Sequence, residues 1–329
     1  MPYAVRGFFN NGGRKAYIAR VERGSRAKAA AGAFIGNPKA KPSQRRGLAA
    51  LADIEEISML ALPDVAHPLV RVGSRPSIVA AAVAQCDARR DRVVFVDAPA
   101  DARDLGQSDP VIGNIKSSYA AVYGPWLEVP VTGDAATTLL PPAGHVAGIY
   151  ARNDNKRGVA KAPAGIEAEV RGIGGLSLSL TERELEALVN GRVNGIADFR
   201  SAGRGIVVWG AHSRSVDPEW KYVNVRRLAI FIEASVYRGL QWVVFEPNGE
   251  ALWANVRATV EDFLLNEWRS GALQGAKPEQ AFFVRCDRST MTQNDIDNGR
   301  LICEIGIAPV KPAEFVIIGI SACAAKPTS

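Results

Sequence analysis

Histidine, cysteine and serine set what chemistry this chain of 329 residues could perform. The three histidines, His67, His145 and His212, stand far apart, and none sits in an HExxH pattern. The four cysteines, Cys86, Cys286, Cys303 and Cys323, form no CxxC pair. They read as buried free thiols of a reducing compartment, with a disulfide between Cys286 and Cys303 on neighbouring strands as the alternative. No GxxxxGK[ST] loop and no GxSxG elbow occurs, and the glycine-rich "RGIGGLS" (171–177) lacks GxGxxG spacing. The sequence therefore assigns no catalytic, cofactor-binding or metal-ligating residue. A base–acid–nucleophile set can still be assembled from Asp97 at a strand end, His145 and a serine near Ser213, which is hydrolase chemistry. The plainer reading makes Asp97 a turn-forming carboxylate at a strand exit and His145, after "PPAG", a residue of a helix start.

The elements that would position such groups can be read from apolar spacing. "KAYIARV" (15–21), "ISMLAL" (57–62) and "RVVFVD" (92–97) suit short buried strands. Between the last two, 77–90 carries Ile78, Val79, Ala82, Val83 and Cys86 at helical spacing, so a parallel strand–helix–strand unit is expected. The segment 22–47, rich in Gly, Pro, Lys and Arg, reads as a loop or linker. "LTERELEALVNG" (180–191) carries a capping box of Thr181 and Glu184, a staple of Leu180 and Leu185, and a terminating Gly191.

From about Gly205 the pattern changes. Strands are expected at 205–210, 242–245, 281–287 and 301–308, and helices at 223–239 and 247–271. The first of these helices puts Val225, Leu228, Ile232 and Val236 on one face. The second buries Leu252, Val256, Val260, Phe263, Leu264 and Trp268, with Asn248 as its cap. Strand 301–308 turns Leu301, Cys303, Ile305 and Ile307 to one side. The fold class expected is α/β and α+β. An α/β domain with a mostly parallel sheet (1–204) precedes a mixed α+β domain (205–310) and a closing segment (311–329) that carries an apolar strand.

Net charge is +6 and the pI about 9.2, with basic residues scattered along the chain. Scattered charge without a DNA-reading motif argues against direct nucleic-acid binding. No run of 18 or more apolar residues is present, so membrane insertion is not expected.

Four stretches carry a resemblance: "SSYAAVYGPWLEVP" (117–130), "PPAGHVAGIYARNDNKRGVAKAPA" (141–164), "GRGIVVWGAHSRSVDPEWKYVNVRRL" (203–228) and "IAPVKPAEFVI" (307–317). In these the chain resembles the tail sheath proteins of contractile phage tails and contractile injection systems. The resemblance implies a structural, non-catalytic subunit. Such subunits stack as six-membered rings around an inner tube and contract to drive it through a target envelope. It also implies self-assembly in the bacterial cytoplasm into a virion tail or injection particle. The partners implied are the inner tube protein and baseplate and terminator proteins. The rival readings are an α/β hydrolase-like enzyme and a non-contractile tail or baseplate component.

In that family the carboxy-terminal extension adds a strand to a sheet in a neighbour. Here this implies Glu314, Phe315, Val316, Ile317, Ile318, Gly319 and Ile320, released by a joint at Pro309, Lys311 and Pro312. On the 247–271 helix, the polar face with Arg257, Glu261 and Arg269 is the expected inner-tube contact. The family's usual amino-terminal arm has no counterpart ahead of "YAVRGFFNNGG", which is itself expected to pack as a helix. On that reading the chain as given would not build a stable sheath unaided.

Overall fold

The computed structural model describes residues 2–21, 30–65, 70, 73–100, 104 and 108–314. Ten strands lie among them: β1 (Met59–Ala61), β2 (Val93–Asp97), β3 (Ala120–Gly124), β4 (Leu127–Pro130), β5 (Thr137–Leu140), β6 (Gly175–Leu176), β7 (Asn194–Asp198), β8 (Ile206–Trp209), β9 (Phe282–Arg285) and β10 (Glu304–Ile307). The main sheet has the order β1-β2-β3-β7-β8. Its first four strands run parallel, and β8 returns antiparallel at the edge.

The main sheet is buried on both faces, which is why β2 and β3 read as unbroken apolar runs. Val93 and Phe95 with Ala121 and Tyr123 face the helix Ala143–Arg157 through Val146, Ile149 and Tyr150. Val94 and Val96 with Ala120 and Val122 face the helices Ser74–Arg89 and Glu182–Asn190 through Val79, Ala82, Leu185 and Leu188. The capping box of Thr181 and Glu184 is present, and Leu180 packs into the same cluster as Leu185.

The first helix, Pro2–Asn10, lies against Ala143–Arg157 at close range. Small residues permit this. A Cβ on Gly7 would sit 2.2 Å from the His145 ring, and one on Gly148 would sit 2.3 Å from the Phe8 carbonyl oxygen.

Beyond β8, the helices Val223–Gly239 and Glu250–Arg269 pack with the antiparallel pair β9–β10 around Leu228, Ile232, Val260, Leu264, Leu273 and Val284. The helix Val223–Gly239 serves two cores. Val223 and Ile230 belong to the main-sheet cluster, whereas Leu228 and Ile232 belong to the second.

Three local expectations are overturned. Residues 15–21 form no strand; they run along an open cavity beside β1, with Ile18 56% exposed, and Lys15 and Tyr17 engage Glu56. The described part of 22–47 is not a plain loop. It holds the helix Ala31–Ile35 and a 3-10 turn at Pro42–Gln44, because Phe34 has a buried site to fill. "WVVF" is a 3-10 turn at Gln241–Val243 followed by Phe245 at φ +72°, with its side chain wholly exposed. An apolar run does not make a strand when no partner edge lies beside it.

Candidate functional site

The residues expected to let an arm leave the body are held at two levels. The chain exits β10 along the turn that ends the helix Glu250–Arg269. The Gln274 amide donates to the Ala308 carbonyl (2.8 Å), the Val310 amide to that of Ala272 (3.2 Å), and Pro309 bridges Leu273. Lys311 then reaches Glu219 at 3.5 Å, an exposed pair of small energetic weight. With Pro312 restricting the backbone, the chain arrives at Glu314.

Glu314 is the strongly held residue. Lys221 Nζ and Tyr222 Oη each donate to its Oε2 at 2.8 Å, and His212 Nε2 faces its Oε1. Burial pushes the Glu314 carboxyl up, but the Lys221 hydrogen bond, the neighbouring His212 and the Tyr222 hydroxyl outweigh it, so its pKa falls below the usual value. His212 is 1% exposed, and burial holds its pKa down despite Glu314. The imidazole is thus neutral at pH 7. The negative charge of Glu314 is balanced chiefly by Lys221.

This cluster is tied to the main sheet. Asn194 in β7 accepts from the His212 amide (2.6 Å) and donates to the carbonyls of His212 (2.9 Å) and Val122 in β3 (3.0 Å). Glu314 is therefore linked through His212 and Asn194 to β7 and β3 of the main sheet. The remaining strand residues, Phe315, Val316, Ile317, Ile318, Gly319 and Ile320, lie outside the described residues.

The other candidates fall elsewhere. Arg257 and Glu261 lie 4.0 Å apart and pair with each other on the helix Glu250–Arg269, while Arg269 is exposed in its last turn. Asn248 does not cap this helix. It accepts from Trp253 Nε1 (2.8 Å) and donates to the Arg300 carbonyl, and Gly249 takes the cap position.

The hydrolase set is not assembled. Asp97 accepts from the Ala143 amide at the start of a helix (2.8 Å), and Ser213 donates to the Trp220 carbonyl (2.6 Å). The buried Nδ1 of His145 has no hydrogen-bond partner among the described residues, whereas a catalytic base needs one to fix its tautomer. Burial raises the Asp97 pKa to about 7, against the opposing Ala143 amide and Arg75. That shift accompanies a capping role here.

Reading by motif missed His212, Lys221 and Tyr222 as partners of Glu314, because roughly a hundred positions separate them. The one available signal was that all three fall inside the 203–228 stretch that carries the family resemblance.

Comparison with known proteins adds an independent line. A family profile described as the phage tail sheath protein central domain matches residues 38–213, and one described as the phage tail sheath C-terminal domain matches residues 215–322. The chain is 23% identical over 213 residues to the tail sheath protein of Enterobacteria phage T4, covering 64% of this chain and 31% of that one. It thus spans about a third of the length of the curated relatives it matches. Among solved structures it is similar to the anti-feeding prophage helical sheath in its contracted state, with TM-score 0.77 and 33% identity over 97% of this chain and 81% of that chain. It is also similar to the sheath complex of the extracellular contractile injection system PVC in its contracted state, with TM-score 0.77 and 28% identity over 97% and 79%.

Proposed function

This chain belongs to the phage tail sheath family, and from that premise we propose that it is a structural subunit of a contractile sheath, polymerising as stacked six-membered rings around an inner tube and contracting to drive that tube through a target envelope. Its partners would be further copies of itself, the inner tube protein, and baseplate and terminator proteins. Assembly would take place in the bacterial cytoplasm, with no catalytic step.

The observation that supports this reading best is the way Glu314 fastens the root of the arm to His212, Lys221 and Tyr222 immediately before the apolar sequence Phe315–Ile320. A strand that joined a neighbour would pass its load into the main sheet through this anchor. The natural acceptor is the pair β9–β10. Two strands alone make a marginal sheet, and neither outer edge is paired among the described residues. An added strand gains main-chain hydrogen bonds and covers apolar side chains such as Phe283, which is 48% exposed. We place the inner part of the subunit after β8, and its tube-facing contact on the polar face with Arg257, Glu261 and Arg269. A contact that must release on firing is better served by charge than by a large apolar interface.

The test is negative-stain microscopy of the assembled particle with the chain cut after Val310 and, separately, with Ile317→Pro, which removes a ladder donor and fixes φ. Folded subunits that no longer form tubes are expected. Normal tubes from both variants would reject the arm as the link. Charge reversal at Arg257 and Arg269 should weaken retention of the inner tube; unchanged retention and firing would move the tube contact elsewhere.

A further inference from the structure

We propose that Cys286 and Cys303 are a site of covalent modification, forming a cross-strand disulfide that staples β9 to β10 when the chain meets a small-molecule disulfide oxidant. Both residues are free thiols in the structure, one buried and the other half-buried. The strand register carries the argument. The ladder ends with Arg285 opposite Glu304, and the same register carried one residue further sets Cys286 opposite Cys303.

Position within the ladder matters as much as opposition. The Ala308 amide donates to the Ala281 carbonyl at the inner end, which marks that pair as hydrogen-bonded. Alternation along an antiparallel ladder then makes the Arg285–Glu304 pair hydrogen-bonded and the Cys286–Cys303 pair non-hydrogen-bonded. Non-hydrogen-bonded pairs hold their Cα atoms about 4.5 Å apart, inside the range a disulfide spans. Both side chains pack under the helix Glu250–Arg269 in one cluster with Leu252 and Val256.

The chemistry balances with glutathione disulfide as the oxidant. The half-buried Cys303 thiolate attacks one sulfur of the oxidant, breaking its S–S bond and releasing one glutathione thiolate. The Cys286 thiolate then attacks the Cys303 sulfur of the mixed disulfide and releases the second glutathione. The protein loses two electrons and two protons, and the oxidant becomes two thiols. Burial and the neighbouring Cys303 push the Cys286 thiol up to about 11, so the second step is slow at neutral pH and quickens as pH rises. Cys86 does not compete: it is fully buried, with its thiol pushed up to about 12.

The experiment equilibrates the purified full chain with a glutathione redox series at about pH 8.5, quenches with acid, alkylates in denaturant and maps peptides by mass spectrometry. The expected result is joint loss of alkylation at Cys286 and Cys303, a link within one chain, and a melting midpoint higher by roughly 5 °C. Cys303→Ser should abolish both the link and the shift. The same mapping on chain refolded from urea in the oxidising buffer removes shielding of the thiols as an explanation. Two free thiols there, or a link from Cys303 to Cys323 or to another chain, would overturn the proposal. The bond is read on single chains, so it stands or falls separately from the assembly reading.

Discussion

Arg227 grips Asp154 with both ends of its guanidinium, Nη1 to Oδ1 at 2.9 Å and Nη2 to Oδ2 at 2.6 Å, with Arg227 only 6% exposed. The pair joins the helix Val223–Gly239 to the helix Ala143–Arg157, and the guanidinium also lies over the Tyr150 ring. Planar two-point pairing suits arginine and not lysine.

Removing one partner should cost more than removing both. Asp154→Ala leaves a buried cation uncompensated and is expected to destabilise the chain by about 3 kcal/mol. Asp154→Ala combined with Arg227→Met is expected to recover most of that loss. Urea unfolding of the three chains measures it, and equal losses for the single and double variants would refute the account.

Glu314 gives a pH-dependent anchor. Its pKa lies below the usual 4.5, so its contribution is fully present above that value and is lost as pH falls through the lower folded value. At pH 7, Glu314→Ala should speed amide exchange across 308–314 by about fivefold, equivalent to ~1 kcal/mol. The difference between the two chains should shrink as the pH falls below the usual glutamate range and the carboxyl protonates.

Asp97 has the opposite sign. Its pKa rises from 3.8 to about 7, so the folded state binds the extra proton, and stability falls as pH climbs from about 4 through 7. Asp97→Asn keeps an oxygen for the Ala143 amide and removes the charge. It should stabilise the chain by on the order of 1–2 kcal/mol at pH 8 and by almost nothing at pH 4, read from melting curves at the two pH values.

The seat of the first helix should tolerate no added atom. A Cβ at Gly148 would meet backbone, the Phe8 oxygen at 2.3 Å, and one at Gly144 would meet the Ala4 oxygen at 2.7 Å. Gly148→Ala should cost about 2–3 kcal/mol despite alanine's better helix propensity. A stability unchanged or raised in thermal melts would show that the helix Pro2–Asn10 is not seated there.

Much of this architecture was legible because its signals are local. Thr181 and Glu184 announce a helix start within four residues. At and just before β10 the alternation of Cys303, Ile305 and Ile307 names the buried face, and all three pack against the second core. The misreadings share one cause. Trp242 to Phe245 are as apolar as a strand, yet among the described residues none of them pairs with a strand edge. Residues 15–21 read as a short apolar run suited to a strand, yet they line a cavity. The anchor at Glu314 and the grip of Arg227 on Asp154 were beyond local reading, because each joins positions brought together only by the tertiary fold.

The helix Val223–Gly239 places Val223 and Ile230 in one core and Leu228 and Ile232 in the other. A rod embedded in two cores abolishes the seam at which a two-part chain would ordinarily come apart first. Neither half can melt without stripping the helix from the other, so the two cores are expected to unfold together.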